Sequence, residues 1–320
     1  LQYDTTIQYW HTVKNAGRIQ ASNPCSEFMF LDDTACNLAS INLLNFLEQG
    51  EFQISAFQHT VRLLLTAQDI LIDQAGYPTP EIAENSRRYR PLGLGYANLG
   101  ALLMALGLPY DSDEGRSLAA VITALMSGEA YRVSAELAQV KGAFEAFAAN
   151  RDPMLAVIHA HQQALAAVST PTPAQEKIKA AAQSSWQAAL AQGEVVGFRN
   201  AQVTALAPTG TIGFMMDCDT TGIEPDFALI KYKRLVGGGT LKMVNKTVPQ
   251  ALEHLGYTVA QREEILDYLN REETLEGAPG LNKQDLPVFD CAFTPLRGSR
   301  AIHYTGHLRM MGAVQPFISG

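Results

Sequence analysis

The sequence predicts an α/β fold, because short candidate strands alternate with long helical stretches and no fixed period repeats. The composition agrees. With 47% hydrophobic and 18% charged residues among 320, the chain can bury one large core or two ordinary ones.

Taken in order, Leu63, Leu64, Ile70 and Leu71 recur at helical spacing and predict a helix over 61–74. Arg90-Pro91-Leu92-Gly93-Leu94-Gly95-Tyr96-Ala97-Asn98-Leu99-Gly100 reads as a glycine-rich turn running into the apolar stretch 101–108. Its third glycine is misplaced for a dinucleotide fingerprint and no strand is evident before it, so the glycines read as points of close backbone packing. Residues 111–140 predict an amphipathic helix with Leu118, Ile122, Leu125, Val133 and Leu137 as its stripe. Residues 153–192, rich in alanine and glutamine and broken by Pro171 and Pro173, predict a surface helical pair. His159 and His161 fall there, two residues apart and so not facing each other, and read as solvated. Residues 201–207 alternate weakly and predict a strand. Phe227 to Ile230 and the run Gly237-Gly238-Gly239 follow, then a helical pattern over 249–270 and a candidate short strand at 287–291. His303 and His307 have H-x3-H spacing, but without a third ligand nearby no metal site is expected.

A net charge of −8 argues against a dedicated nucleic-acid surface and still allows a small phosphate pocket. No apolar run approaches the roughly 18 residues that span a bilayer, and no signal peptide opens the chain, so no membrane partner is expected. Four cysteines without C-x-x-C suggest neither a zinc cage nor a secreted disulfide framework, and a cytoplasmic protein with reactive or buried thiols fits them. The chain starts at Leu1 and closes on Val314-Gln315-Pro316-Phe317-Ile318-Ser319-Gly320, which reads as mid-element, so an internal fragment is expected.

Two segments carry chemistry. In Asn23-Pro24-Cys25-Ser26-Glu27 an extended backbone would turn an amide, a sulfur and a carboxylate to one side. The alternative is inert packing, common for free cysteine. Cys36 follows in Asp32-Asp33-Thr34-Ala35-Cys36-Asn37-Leu38-Ala39-Ser40. The second segment, Pro208-Thr209-Gly210-Thr211-Ile212, is a plausible phosphate cradle with glycine for close approach and two hydroxyl donors. It lacks the Gly-Lys-Ser/Thr of a Walker A loop, and an ordinary capped turn explains it equally well. Cys218 reads as structural.

Together these segments resemble the catalytic subunit of ribonucleotide reductase. The resemblance rests on residues 23–27, 36–40, 90–95 and 208–212, with Gly222-Ile223-Glu224-Pro225 and Ala313-Val314-Gln315-Pro316 adding to it. Around 32–42 and 215–226 the chain is most similar to the adenosylcobalamin-dependent, class II enzymes. The resemblance implies part of a ten-stranded α/β barrel with Cys25 at the tip of a loop threading its centre. Residues 1–30 would end the first half-barrel and carry that finger loop. Residues 31–320 would build the second half, with a helical insertion near 151–195.

By the same resemblance, Cys25 is the thiyl radical that takes the 3′ hydrogen, Glu27 accepts the 3′-hydroxyl proton, and Asn23 holds the substrate. Cys36 is one of two thiols that reduce C2′ and become a disulfide. Ser22, Asn23, Pro24, Cys25, Ser26 and Glu27, with Pro208, Thr209, Gly210, Thr211 and Ile212, would bind the substrate. It further implies a ribonucleoside diphosphate substrate, adenosylcobalamin, a redox-active dithiol, a thioredoxin- or glutaredoxin-type reductant and a full-length homodimer.

The partner of Cys36 would lie on a strand before Leu1, and neither Cys218 nor Cys291 matches a family redox position, so the isolated chain is expected not to turn over. No D-x-H-x-x-G cobalamin motif occurs. Two other readings are a class I subunit served by a separate metal-radical protein and a non-catalytic nucleotide-binding relative. A nucleophilic thiol enzyme is a further alternative, for which His11 is the nearest histidine in sequence to Cys25.

Overall fold

A computed structural model describes residues 4–234 and 237–320. After a short helix α1 (Asp4–Trp10) and the loop bearing Cys25 comes strand β1 (Asn37–Asn42), then a small hairpin of β2 (Leu47–Glu48) and β3 (Glu51–Phe52). Helices α2 (Ile54–Gln74) and α3 (Pro80–Tyr89) lead into β4 (Leu92–Ala97). Strands β1 and β4 pair in parallel, with Asn37 opposite Leu92 and Asn42 opposite Ala97. This is the strand–helix–strand arrangement that an α/β reading requires. Helices α4 (Leu99–Ala105), α5 (Asp113–Lys141), α6 (Phe147–Ala166) and α7 (Pro173–Val196) follow, then the four-residue α8 (Ile212–Met215). An antiparallel hairpin of β5 (Ile230–Arg234) and β6 (Thr240–Val244) precedes α9 (Val248–His254), α10 (Val259–Glu272) and α11 (Tyr304–Val314). Among the described residues the sheets have two strands each, and no barrel closes.

Within the segment that the sequence suggested as a turn, Leu92–Ala97 is a strand. It is buried along its whole length, so it shows no polar alternation, and its glycines replace side chains where neighbours press close. A Cβ on Gly95 would meet the Ala205 carbonyl oxygen at 2.3 Å, and one on Gly100 the Glu224 carbonyl oxygen at 2.8 Å. Close packing is therefore what these glycines serve. Residues 201–205 run beside β4, with Leu94 N–H donating to Val203 O (2.9 Å) and Ala205 N–H to Leu94 O (3.1 Å).

Arg90 anchors the start of β4. Its Nε donates to Asp69 Oδ1 (2.9 Å) and its other nitrogens to Asp73 Oδ1 (2.7 Å) and the Asp69 carbonyl (2.7 Å), all on α2. Asn200 Nδ2 donates to Asp69 Oδ1 as well (2.9 Å), so a buried carboxylate ties together α2, β4 and the segment 200–205, which meets β4 through the isolated bridge Leu94–Thr204 and not as the full strand expected over 201–207.

The helical pair keeps one exposed face and buries the other. Helix α7 packs along α5, and Trp186 is wholly buried beside Gly128, because alanine-rich faces let the two helices approach closely. His161 is buried rather than solvated, stacked between Trp10 (4.6 Å) and Trp186 (5.2 Å), while His159 is exposed as expected. The pattern at 249–270 forms two helices, α9 and α10, separated where Gly256 takes φ +87°. The candidate strand at 287–291 is instead a 3-10 turn, Leu286–Phe289, because Pro287 fixes φ and removes a ladder donor. His303 caps α11 through Nδ1, and His307 Nδ1 pairs with Glu224 Oε2 at 2.9 Å. A second, smaller core gathers Ile230, Val248, Leu252, Ile265, Leu269 and Phe289 under the β5–β6 hairpin.

Candidate active site around the Cys25 loop

The Cys25 segment is a tight turn, not an extended strand. Ser22 and Met29 bridge at its base, Ser26 N–H donates to Asn23 O (3.0 Å), and Ser26 takes φ +65°. The Asn23 side chain turns inward, its Oδ1 accepting from Phe28 N–H at 3.0 Å. Asn23 is thus the internal brace of the loop, and the predicted one-sided alternation of Asn23, Cys25 and Glu27 is replaced by a turn that leaves Cys25 exposed at its tip. Pro24 is exposed beside it.

Cys25, Ser26 and Glu27 line a cavity of about 320 Å³. Its other walls include Trp10 and His11 just after α1, Gln202 and Leu206, and the segment 318–320. That last segment is stitched to the segment 200–205: Ser319 Oγ accepts from Val203 N–H (3.1 Å) and Thr204 N–H (2.9 Å), and Ser319 N–H donates to Thr204 Oγ1 (3.1 Å). With its nitrogen assigned as donor, the Gln202 amide bridges the carbonyls of Met29 (3.0 Å) and Ser319 (3.1 Å), which fastens the loop to the cavity floor.

Two residues of the cavity wall each carry a buried acceptor with no partner in the protein, Glu27 Oε2 and His11 Nδ1. His11 Nε2 lies 3.1 Å from the Gly17 carbonyl oxygen. A carbonyl only accepts, so Nε2 carries the hydrogen and Nδ1 is a bare lone pair. Burial pulls the His11 pKa down to about 4, against a smaller raising effect of the Gly17 bond.

Cys36 stands at the mouth of β1 with its sulfur over Gly93, where a Cβ would lie 2.5 Å from Sγ. Burial pushes its thiol well above the usual range, and the negative charge of Glu27 pushes it further. All four cysteines are free thiols. Burial first, then Asp217 and Asp219, raises Cys218 to about 11, while Cys291 is buried in the second core, in keeping with structural roles.

The 208–212 segment does not line the Cys25 cavity, although it begins two residues beyond Leu206 of the cavity wall. Thr209 takes φ +53°, and its Oγ1 accepts from Gly222 N–H at 2.7 Å, so this hydroxyl stabilises the turn. Gly210, Thr211 and Ile212 are exposed. The structure therefore gathers Cys25, Ser26 and Glu27 on one cavity, with Ser22 and Asn23 holding their loop, Cys36 close enough to feel Glu27, and residues 208–212 apart. His11 and Gln202 are the site residues that local pattern did not select. Among the described residues no three or more metal-ligating side chains converge.

The turn thus places the Cys25 thiol and Glu27 on one cavity of an α/β scaffold, with the Cys36 thiol within electrostatic reach of Glu27. The family model for the ribonucleotide reductase barrel domain matches residues 1–320, and the chain belongs to that family. It is similar over its whole length to the vitamin B12-dependent ribonucleotide reductases of Rhodopirellula baltica (56% identical, covering 31% of that protein) and Streptomyces coelicolor (51%, covering 33%). Across 97% of its length it is 33% identical to the vitamin B12-dependent ribonucleoside-diphosphate reductase of Mycobacterium tuberculosis, covering 37% of it. The chain spans about a third of the length of these curated relatives.

Proposed function

We propose that this chain carries the thiyl-radical centre of a vitamin B12-dependent ribonucleotide reductase acting on ribonucleoside diphosphates. The observation that carries the proposal is the pairing of an exposed Cys25 with Glu27, one of whose carboxylate oxygens has no partner in the protein, in the wall of one cavity. The names of the relatives support the cofactor and, in one case, the diphosphate.

In this reading the Cys25 thiyl takes the 3′ hydrogen, breaking C–H and forming S–H, while Glu27 accepts the 3′-hydroxyl proton through its free oxygen. The 2′-hydroxyl leaves as water. Cys36 and a second thiol supply two electrons and become a disulfide, and Cys25 returns its hydrogen atom to C3′. A thiol held protonated at neutral pH, as Cys36 is, suits hydrogen-atom and proton donation better than nucleophilic attack. Pro208, Gly210, Thr211 and Ile212, exposed on the turn that the buried Thr209 stabilises, would meet the phosphates. Residues 1–30 carry the finger loop and the remainder the second half of the barrel. Fit to adenosylcobalamin rests on the exposure of Cys25 at a turn tip, where the sulfur is open to a group outside the cavity; when bound, that cofactor supplies the radical that oxidises Cys25. A thioredoxin- or glutaredoxin-type reductant, a homodimer and a cytoplasmic setting complete the proposal.

The test uses the full-length enzyme incubated with a ribonucleoside diphosphate, a dithiol and adenosylcobalamin, with Cys25→Ser as control. Deoxynucleotide that requires the cobalamin and vanishes in the control is expected. Activity that instead needs a separate metal-radical subunit would overturn the cofactor assignment, and activity surviving in Cys25→Ser would overturn the radical role.

A further inference from the structure

Gln202 is 1% exposed, and its backbone is fixed to β4, where Leu92 N–H donates to Gln202 O at 2.8 Å. Its side chain joins the loop that carries Cys25 to the segment 318–320. With its nitrogen as the donor, it gives one hydrogen to Met29 O (3.0 Å) and the other to Ser319 O (3.1 Å). Both partners are carbonyls, which only accept, so the position demands two hydrogens on one atom. Among uncharged side chains only the amides of Asn and Gln supply them, and a lysine or arginine cation buried there would need a counter-charge.

Met29 is one foot of the Cys25 turn, since it bridges Ser22 at the base. The bonds nearer the tip, Ser26 N–H to Asn23 O and Phe28 N–H to Asn23 Oδ1, are local. Local bonds fix the shape of a turn and leave its place in the molecule to its anchors. The anchor on the far side is itself rigid. Ser319 is bonded to Val203 and Thr204, and Ser127 Oγ of α5 donates to Thr204 Oγ1 at 3.1 Å. The backbones there are in direct contact, because a Cβ on Gly320 would lie 2.8 Å from Thr204 O and 2.9 Å from Glu27 O. We propose that Gln202 is a positioning residue for Cys25: its amide registers the Cys25 turn against β4 and the segment 318–320, and so sets where the thiol stands. The inference rests on the thiyl-radical reading above, in which hydrogen abstraction tolerates little displacement of the sulfur.

The test compares the full-length enzyme with two variants. Gln202→Met keeps the length and neutrality of the side chain without a donor, and Gln202→Asn keeps the amide on a shorter stem. Backbone hydrogen exchange is followed by mass spectrometry in peptides covering 22–29 and 92–97. Loss of two hydrogen bonds should speed exchange over 22–29 by roughly 5- to 150-fold in Gln202→Met, and by less in Gln202→Asn, with 92–97 unchanged. In turnover of a ribonucleoside diphosphate, kcat should fall, by up to about 100-fold for a thiol misplaced by roughly 1 Å. KM should be retained, because the proposed phosphate contacts lie apart at 208–212. Unchanged exchange over 22–29 would overturn the proposal, as would a wild-type kcat despite a loosened turn. Equal acceleration over 92–97 would overturn it by marking Gln202 as a general stabiliser of the fold, and a rise in KM alone by pointing to substrate contact. If Gln202→Met does not fold, Gln202→Asn decides on the same readouts. Wild-type enzyme that makes no deoxynucleotide would remove the thiyl-radical reading itself, and hydrogen exchange would still decide whether Gln202 holds the turn.

Discussion

Adding one methyl group at Gly93 tests the packing that holds Cys36. The new Cβ would fall 2.5 Å from Cys36 Sγ and 2.6 Å from Leu38 Cδ2, with Ala205 Cβ at 3.3 Å. Favourable contacts between such atoms lie near 3.5–4.0 Å, so sulfur and methyl must each retreat by about 1 Å. Leu38 is half exposed and can swing aside, but Cys36 sits on a short side chain beside a strand pair in fixed register. Overpacking of this kind costs about 1–3 kcal/mol. At roughly 2–4 °C per kcal/mol, Gly93→Ala should lower Tm by about 2–12 °C. The displaced sulfur should also lose part of the burial that raises its pKa, so alkylation at neutral pH, mapped by mass spectrometry, should reach Cys36 faster relative to buried Cys291. Adding Cys36→Ala should recover part of the lost stability, a coupling of about 0.5–3 kcal/mol. A Tm within about 1 °C of wild type together with unchanged Cys36 labelling would refute this account of the contact.

Two further substitutions test the scaffold. His161 is wholly buried with its pKa pulled down to about 4 by burial, so the unfolded chain binds its proton more readily. Its neutral form contributes stability that is complete above the unfolded value near 6.5 and is lost as pH falls towards 4, about 2–3 kcal/mol by pH 4.5. His161→Phe should make urea midpoints depend less on pH over that window, His11 still contributing in the same direction, and an unchanged slope would contradict the argument. Arg90→Ala strips the buried Asp69 of its main charge partner and should cost about 3–5 kcal/mol in chemical denaturation, whereas a loss below about 1 kcal/mol would show that Asn200 suffices.

Helices were legible wherever their apolar residues kept period, as at 61–74 and 111–140, because that signal is local. Leu92–Ala97 was not, since a strand buried on both faces carries no alternation, and its glycines report neighbours that arrive from 36 and 205. The same limit hid the burial of His161, whose environment is made by Trp10 and Trp186 from distant parts of the chain. At the site, Cys25, Glu27 and Cys36 were legible as residue types at a characteristic spacing. The turn that presents them was not foreseen from the residues alone, since an extended alternation fits the same letters. His11 stood out only as the nearest histidine in sequence to Cys25, because its burial and its unpaired nitrogen are defined by the fold alone.

The electrostatic reach of Glu27 to Cys36 bears on the proposed reaction. Its charge is the second cause, after burial, of the high proton affinity of Cys36. When Glu27 takes the 3′-hydroxyl proton that charge disappears, and the part of the Cys36 shift due to it disappears as well. The dithiol must surrender protons as it becomes a disulfide, so the step that activates the sugar also eases the step that reduces it. Burial, the larger cause, is unaffected by this event, so only the smaller part of the shift, the part due to Glu27, is relieved. One carboxylate with a free oxygen can thus order the two halves of the chemistry without any movement of the backbone, because the signal between Glu27 and Cys36 is electrostatic.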